Sequence, residues 1–352
     1  MGIIRIGPSP QLLPVKLGPG DILEIDSDLT GVLTVIAHGD AHNRVHIRPA
    51  NPDTFLNLES LVLTNPRHVT LSDLNIMTTD DHDGVLVWAT EASADIRLER
   101  VFVKGARNGI AIGTDQPAGL RDVIVDSCLI QDCLLQGILC FGPETPQYGL
   151  HNVKVTQCRV EGTRGDPTLT NNHSGSGIIL GSVDEGEIVD CHAEGNGAAC
   201  VATEGPEGIF VYDCRRVRIR NCASKSNRTG GPADGGGFGI DIRCVDCLIE
   251  NCDAIDNDGA GILVWNLPGM IGGGHVLRGN RLSNNCRRTT WHGEITVTPS
   301  AGKVEISENT IESKANISGI LTGIGAKNIK LKANAFLKSS ALEIEECHMP
   351  QH

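Results

Sequence analysis

The residues best equipped for chemistry lie in the second half of the chain. Phe238-Gly239-Ile240-Asp241-Ile242-Arg243 sets a carboxylate two residues from a guanidinium on a short alternating segment. Alternate residues of a strand share a face, so Asp241 and Arg243 are expected side by side. His173, in Asn171-Asn172-His173-Ser174-Gly175, has the side chain best suited to gain or lose a proton near neutral pH. Lys225 and Arg228, in Ser224-Lys225-Ser226-Asn227-Arg228, are placed to neutralise a substrate carboxylate or a developing anion. Arg164 is a further cation for binding substrate. Glu204, Glu207, Asp184 and Asp213 supply carboxylates, and hydrolysis of a glycosidic bond needs two such groups to converge. Only Asp241 is expected on a strand face.

Around Asp241 and Arg243 the sequence places aromatic residues at a fixed step. The outward positions of successive Gly-apolar-any-apolar segments read Leu86, Ala111, Leu139, Ile179, Phe210, Asp241, Leu263 in one row. Two residues along they read Trp88, Gly113, Phe141, Gly181, Tyr212, Arg243, Trp265, and Trp291 lies in a neighbouring loop. A face made for solvent would carry Lys, Glu, Ser and Thr. Rings arranged this way stack on the apolar faces of sugars or on other flat ligands. Phe210, Tyr212, Trp265, Trp88, Phe141 and Trp291 are therefore the expected binding platforms.

The element that presents these rows is a repeat. An apolar-any-apolar segment closes on Leu74, Val101, Cys128, Cys158, Cys191, Cys222, Cys252, Asn280, Asn309 and Asn334, at spacings of 27, 27, 30, 33, 31, 30, 28, 29 and 25 residues. The Gly-apolar segments interleave with it, as at Gly84, Gly109, Gly137, Gly177, Gly208, Gly239, Gly261 and Gly319, and a third short segment lies between. Three alternating segments per copy, each too short for a helix, read as three strands and three turns. A unit this small cannot bury its own face and must stack on copies of itself. The predicted fold is all-β, a single-stranded parallel β-helix of about ten coils. Residues 45–340 form the coils and 1–44 the first coil or cap. Residues 341–352 close the other end, and the whole of 1–352 reads as one domain.

The cysteines fall into this scheme. Cys128, Cys158, Cys191, Cys222 and Cys252 occupy one turn of consecutive coils, where asparagines then take over. Inward thiols fill small volumes, and stacked asparagines carry hydrogen bonds along the axis. Cys244-Val245-Asp246-Cys247 lacks the distant second pair of a zinc site.

These features resemble the right-handed parallel β-helix of the pectate lyase superfamily over roughly residues 45–340. The resemblance names the strands PB1 (the Gly-Ile segments), PB2 (those before the Cys/Asn positions) and PB3. It implies a substrate lying along the outside of PB1, between flanking loops. The superfamily holds lyases, hydrolases, epimerases, tailspikes and proteins without enzymatic activity, so function has to come from the site. Phe238-Gly239-Ile240-Asp241-Ile242-Arg243 is similar to the Tyr-Gly-Phe-Asp-Pro-His motif of mannuronan C5-epimerases in its Gly, apolar residue and Asp. It departs from that motif at the Tyr, Pro and His. Similarity to pectate lyases implies that Arg243 takes the proton alpha to a uronate carboxylate while Asp241 holds Ca2+.

Loop lengths point to the same face. The interval from closing residue to Gly-Ile strand swells to 19, 17 and 17 residues at Cys158–Gly177, Cys191–Gly208 and Cys222–Gly239. Long loops on a rigid scaffold commonly carry function. The formal net charge of -13 argues against nucleic acid or an anionic membrane as partner. No apolar run reaches the roughly 18 residues of a membrane span, and the first residues lack a secretory leader. The protein is therefore expected in the cytoplasm as the sequence stands, or outside it if a leader has been removed. The expected activity is that of a lyase or epimerase on a uronate-containing saccharide, with no cofactor or with Ca2+. The alternatives are a glycoside hydrolase, an enzyme of a small cytoplasmic substrate, or a saccharide-binding or structural protein. An exposed aromatic face would also favour self-association into a homo-oligomer.

Overall fold

The computed structural model describes the chain apart from residues 1, 8–12, 55, 289–290, 315, 338–343 and 348–352. The described residues hold no α-helix. Strands pair in parallel with the corresponding strand of the next coil, so three sheets run the length of a solenoid of about 11 turns. PB1 stacks Val85–Ala89, Asn108–Thr114, Gln136–Phe141, Ser176–Gly181, Glu207–Tyr212, Gly236–Ile240, Ile262–Val264 and Ile295–Val297. PB2 includes Leu120–Asp126, Leu150–Thr156 and Val183–Val189, and PB3 includes His192–Glu194, Ala223–Lys225 and Asp253–Ile255.

The core follows from the alternation of the strands. Ile110, Ile138, Ile178, Ile209, Phe238, Ile262 and Ile295 form one inward column of PB1, each completely buried. Burying such side chains contributes about 1.5–3 kcal/mol apiece, and no coil could do it without its neighbours. Residues before position 45 are coils rather than a separate cap, because Ile3–Ile6 pairs with Ile22–Ile25 and Val15–Leu17 with Val35–Ala37. At the far end Ile344–Cys347 pairs with Ile320–Gly323. The rest of the expected C-terminal closure, Glu343 included, lies outside the described residues.

Two buried ladders tie the coils along the axis. In the first, backbone N–H groups of Cys191 and Cys222 donate to the thiols of the next coil, both at 3.4 Å. Asparagine then replaces cysteine: Cys252 donates to Asn280 Oδ1 at 2.9 Å, Asn280 to Asn309 and Asn309 to Asn334. The second ladder, absent from the sequence reading, runs through Asn196, Asn227, Asn257 and Asn285. Each side-chain amide donates to the next Oδ1 at 2.8–3.0 Å. It ends on Glu294, whose carboxylate accepts Asn285 N–H at 3.1 Å and Nδ2 at 2.6 Å. This ladder lies at the corner between PB3 and PB1, where the long loops begin.

One element of the expected register is corrected. Gly237-Phe238-Gly239-Ile240, rather than Gly239-Ile240-Asp241-Ile242, is in phase with the neighbouring coils: Phe210 pairs with Gly239, and Gly239 with Leu263. The physical reason is the glycine column. A Cβ at Gly208 would press on the Gly237 carbonyl, and one at Gly237 on the Gly261 carbonyl, so glycine is required at position 237. Phe238 then points inward and fills the core.

Candidate functional site

The two-residue shift rearranges the outer face. Gly239, not Asp241, occupies the Phe210 row, and Asp241 follows the strand end in the row of Tyr212 and Trp265. Its N–H donates to Val211 O at 2.8 Å, and Trp265 N–H donates to Ile240 O at 2.9 Å. Arg243 falls beyond the strand in a left-handed conformation, φ 57°. Its guanidinium grips Asp213 in a two-point ion pair of 2.5 and 2.6 Å, with Glu144 at 3.7 Å. Arg243 therefore braces the turn at Asp213, which also accepts the N–H of Thr145 from a loop of another coil at 3.1 Å.

Beside Asp241 is a cavity of about 180 Å³. PB1 supplies Glu207, Phe210, Gly239, Ile240 and Leu263, and the strand ends supply Asp241, Ile242, Trp265 and Leu267. The loops supply His173, Thr203, Glu204, Gly205, Ala233, Asp234 and Trp291. The second ladder fixes the base of these loops, and cross-loop bonds fix their tips. Gly205 N–H donates to Asp234 Oδ2 at 2.9 Å, Gly235 N–H to Pro206 O at 2.8 Å, and Thr229 N–H to Asp258 at 3.2 Å.

The lining combines acids with rings. Glu207 is 6% exposed, and its Oε2 has no hydrogen-bond partner among the described residues. It fits because the next coil has glycine at positions 236 and 239: a Cβ on Gly239 would fall on Oε2. Burial, then the charges of Asp234 and Asp241, raise the Glu207 carboxyl far above the usual carboxylate range. Burial raises Asp241 to about 7, opposed by the Ile242 N–H that donates to it and reinforced by Asp234 and Glu204. Asp234 sits 3.8 Å from the buried His292 ring. His173 lies at the opposite side, its Nδ1 3.4 Å from Ser176 Oγ and 3.5 Å from Gln136 Nε2. Its ring meets Phe210 edge-on at 5.3 Å between centroids, and burial lowers its pKa to about 4, so it is neutral near pH 7. Trp265 and Trp291 meet at 6.2 Å and 67°.

The cavity thus gathers Asp241, His173, Phe210, Trp265 and Trp291 from the expected set, together with Glu204 and Glu207. The expected cations sit elsewhere. Lys225 lies on PB3 in register with Glu194 and Ile255. Arg228 donates to the Asn227 and Asp256 carbonyls and lies 3.6 Å from Asp258. Arg164 pairs with Asp80. Among the described residues the cavity lining has no Lys or Arg. Of the remaining rings, Phe141 lies over Gly113 and Tyr212 over Gly181. Trp88 stacks on Phe141 at 5.8 Å, several coils from the cavity. No group of three His, Cys, Asp or Glu side chains is arranged to hold a metal ion among the described residues, so Asp241 does not gather partners for Ca2+ there. The sequence reading missed Asp234, whose only signal was its place in a glycine-rich loop.

A family model described as right handed beta helix region matches residues 62–271. No curated protein matches the sequence. Among solved structures, the lacto-N-biosidase of Eubacterium ramulus superposes with a TM-score of 0.60 at 13% identity, over 95% of this chain and 63% of that one. The chain thus spans less than two thirds of that enzyme's length. The periplasmic alginate epimerase AlgG superposes with a TM-score of 0.56 at 13% identity, over 91% of this chain and 78% of the other. An alginate lyase from Paenibacillus sp. gives 0.50 at 16% identity, over 94% and 93%. These likenesses are likenesses of fold. The repeat, the three parallel sheets and a family match across more than half of the sequence make this chain a member of the right-handed β-helix family.

Proposed function

We propose that the protein is a carbohydrate-active β-helix enzyme and that its cavity hydrolyses a glycosidic bond. The observation that carries this reading is the convergence of Glu207, Asp241 and Asp234 in an apolar cavity lined by two tryptophans. Glu207, buried and kept protonated, is the general acid that protonates the leaving oxygen. Asp241, ionised above about pH 7, is the base or nucleophile, and burial, with a lesser contribution from Asp234, keeps the two pKa values high. Carboxyl groups driven apart in protonation state are the working pair of glycoside hydrolysis. Trp265 and Trp291 supply the platform for a sugar ring. The structural neighbours, a lacto-N-biosidase, an alginate epimerase and an alginate lyase, support a saccharide as substrate.

Proton abstraction from a uronate, the expectation from sequence, is the second reading. The neutral His173 favours it as a base, but the lining offers no cation for the uronate carboxylate. The two readings separate by product: hydrolysis adds water across the bond, whereas elimination leaves an unsaturated, ultraviolet-absorbing sugar. Glu207→Gln and Asp241→Asn should each lower hydrolysis of a panel of aryl glycosides and oligosaccharides by about 10²–10⁴-fold with unchanged circular dichroism. Unaltered rates in both variants would remove these residues from the reaction.

A further inference from the structure

We propose that the cavity admits one terminal residue of a saccharide end-on and excludes the internal residues of a chain, so that hydrolysis there releases monosaccharides. The inference rests on the reading of the cavity as a glycoside hydrolase site and goes beyond it to the part of the substrate that enters. A chain cleaved internally has to lie along the outer face of PB1 and leave the site at both ends. The outward rows on either side of the cavity would then have to be open, and they are closed. On the side of the earlier coils, the row that contains Phe210 continues to Ile179. Ile179 is completely buried and Phe210 is buried, with the His173 ring edge-on against Phe210 at 5.3 Å. The neighbouring row is shut by Tyr212, whose ring fills the space that a Cβ on Gly181 would need.

On the side of the later coils, the Phe210 row runs from Leu263 to Thr296 and Leu321, and all three are buried. Gly293 N–H donates to Thr296 Oγ1 at 2.9 Å, so the segment that carries Trp291 and His292 ends seated on that row. The wall loops close the corner towards PB3. A Cβ at Gly175 would meet the Gly197 backbone, one at Gly197 the Arg228 carbonyl, and one at Gly205 the Ala233 carbonyl, so these loops pack backbone against backbone. What remains is a short space. Phe210, Gly239 and Leu263 stand on successive coils, two steps of about 4.8 Å. The volume of about 180 Å³ is below the roughly 300–1,000 Å³ of pockets that enclose drug-sized ligands. Among the described lining residues only Thr203 and Glu204 are exposed. Both belong to the second wall loop, so the mouth opens outward there and not along the axis. Each cleavage breaks one bond between an anomeric carbon and the bridging oxygen. The hydroxyl of water joins the carbon, and its proton reaches the oxygen by way of the carboxyl groups of the site.

The test incubates the full chain with linear tetrasaccharides of neutral, N-acetylated and uronate sugars and sizes the earliest products by mass spectrometry. The expected products are a monosaccharide and the chain shortened by one residue, with the rate lowered at least about 10²-fold in Glu207→Gln. Binding is scored separately, by tryptophan fluorescence of the Glu207→Gln chain. The tetrasaccharide should bind within about threefold of the methyl glycoside of its terminal sugar, because the enclosed residue makes the contacts. Disaccharides formed from the tetrasaccharide ahead of monosaccharide would overturn this inference and leave the hydrolase reading standing. So would an affinity that climbs about tenfold or more from the methyl glycoside to the tetrasaccharide. Monosaccharide release that persists in Glu207→Gln would place the chemistry outside this cavity and overturn both. Length-independent binding without cleavage of any member would sink the hydrolase reading alone, and neither binding nor cleavage would remove both.

Discussion

At Glu207, burial and two neighbouring carboxylates act in the same direction and raise its carboxyl far above the usual carboxylate range, as the proposed general acid requires. The pH dependence of kcat/KM follows from the paired shifts. Activity should rise through about pH 7 as Asp241 ionises and fall at higher pH as Glu207 loses its proton. Asp234→Asn removes an anion that raises both groups, so the acid limb should move to lower pH. An acid limb unmoved in that variant would show that Asp234 does not set the pKa of the base. The same shift affects stability. A carboxyl raised from 3.8 to about 7 binds its proton more tightly in the folded state, so stability falls as pH rises through that window. Asp241→Asn should therefore unfold at a higher temperature than the parent at about pH 8, while losing activity. Asp241 was legible as a candidate from its type amid apolar neighbours, and it lies in the cavity lining. The position of Arg243 was misread because two overlapping strings, Gly237-Phe238-Gly239-Ile240 and Gly239-Ile240-Asp241-Ile242, both satisfy the strand pattern. Only packing against the Gly208 and Gly261 columns decides between them.

Among the elements, the ladder of Asn196, Asn227, Asn257 and Asn285 links scaffold to site, because Asn196, Asn227 and Asn285 each start a loop of the cavity wall and Asn257 joins them. Asn257→Ala strips partners from the Asn227 N–H and side-chain amide and from the Ser224 carbonyl. The Asn227 amide keeps Ser224 Oγ as a partner, so with two groups left unsatisfied at about 1–3 kcal/mol each the loss should be at least about 2 kcal/mol in chemical denaturation. A loss under about 1 kcal/mol would mean that the ladder is replaceable by water. Gly239→Ala makes the converse test. Its Cβ would displace the Glu207 carboxyl, so activity should collapse while the solenoid remains folded. The Cys/Asn ladder was legible because its members close an apolar pattern. The second ladder had the same periodicity, 31, 30 and 28 residues apart, but its asparagines lie in polar turns where no alternation marks them.

Across the described residues the molecule is a parallel solenoid that gathers distant residues at one corner of its coils. The three-strand repeat and most of the inward residues could be read from periodicity alone, Phe238 excepted because two registers fitted there. The meeting of His173, Glu207, Asp234 and Trp291 could not, since it depends on how long loops fold over PB1. Arg243 belongs to this scale, as a brace between coils. Arg243→Ala leaves the buried Asp213 without its ion-pair partner and should cost about 3–5 kcal/mol of stability, with kcat changed far less than in Glu207→Gln. The Arg243 pair holds the Asp213 carboxyl below its ordinary range. Its contribution is therefore present above the unfolded carboxylate pKa and lost as pH falls through the folded one, and the variant should differ least from the parent in acid.

The most direct measurement is the mass of the products formed when the protein and its Glu207→Gln variant are incubated with a panel of neutral, amino and uronate oligosaccharides. Fragments that sum to the substrate plus one water, formed by the parent and not by the variant, are the predicted result. Unsaturated fragments that sum to the substrate alone, or cleavage that survives in Glu207→Gln, would contradict a hydrolase whose acid is Glu207.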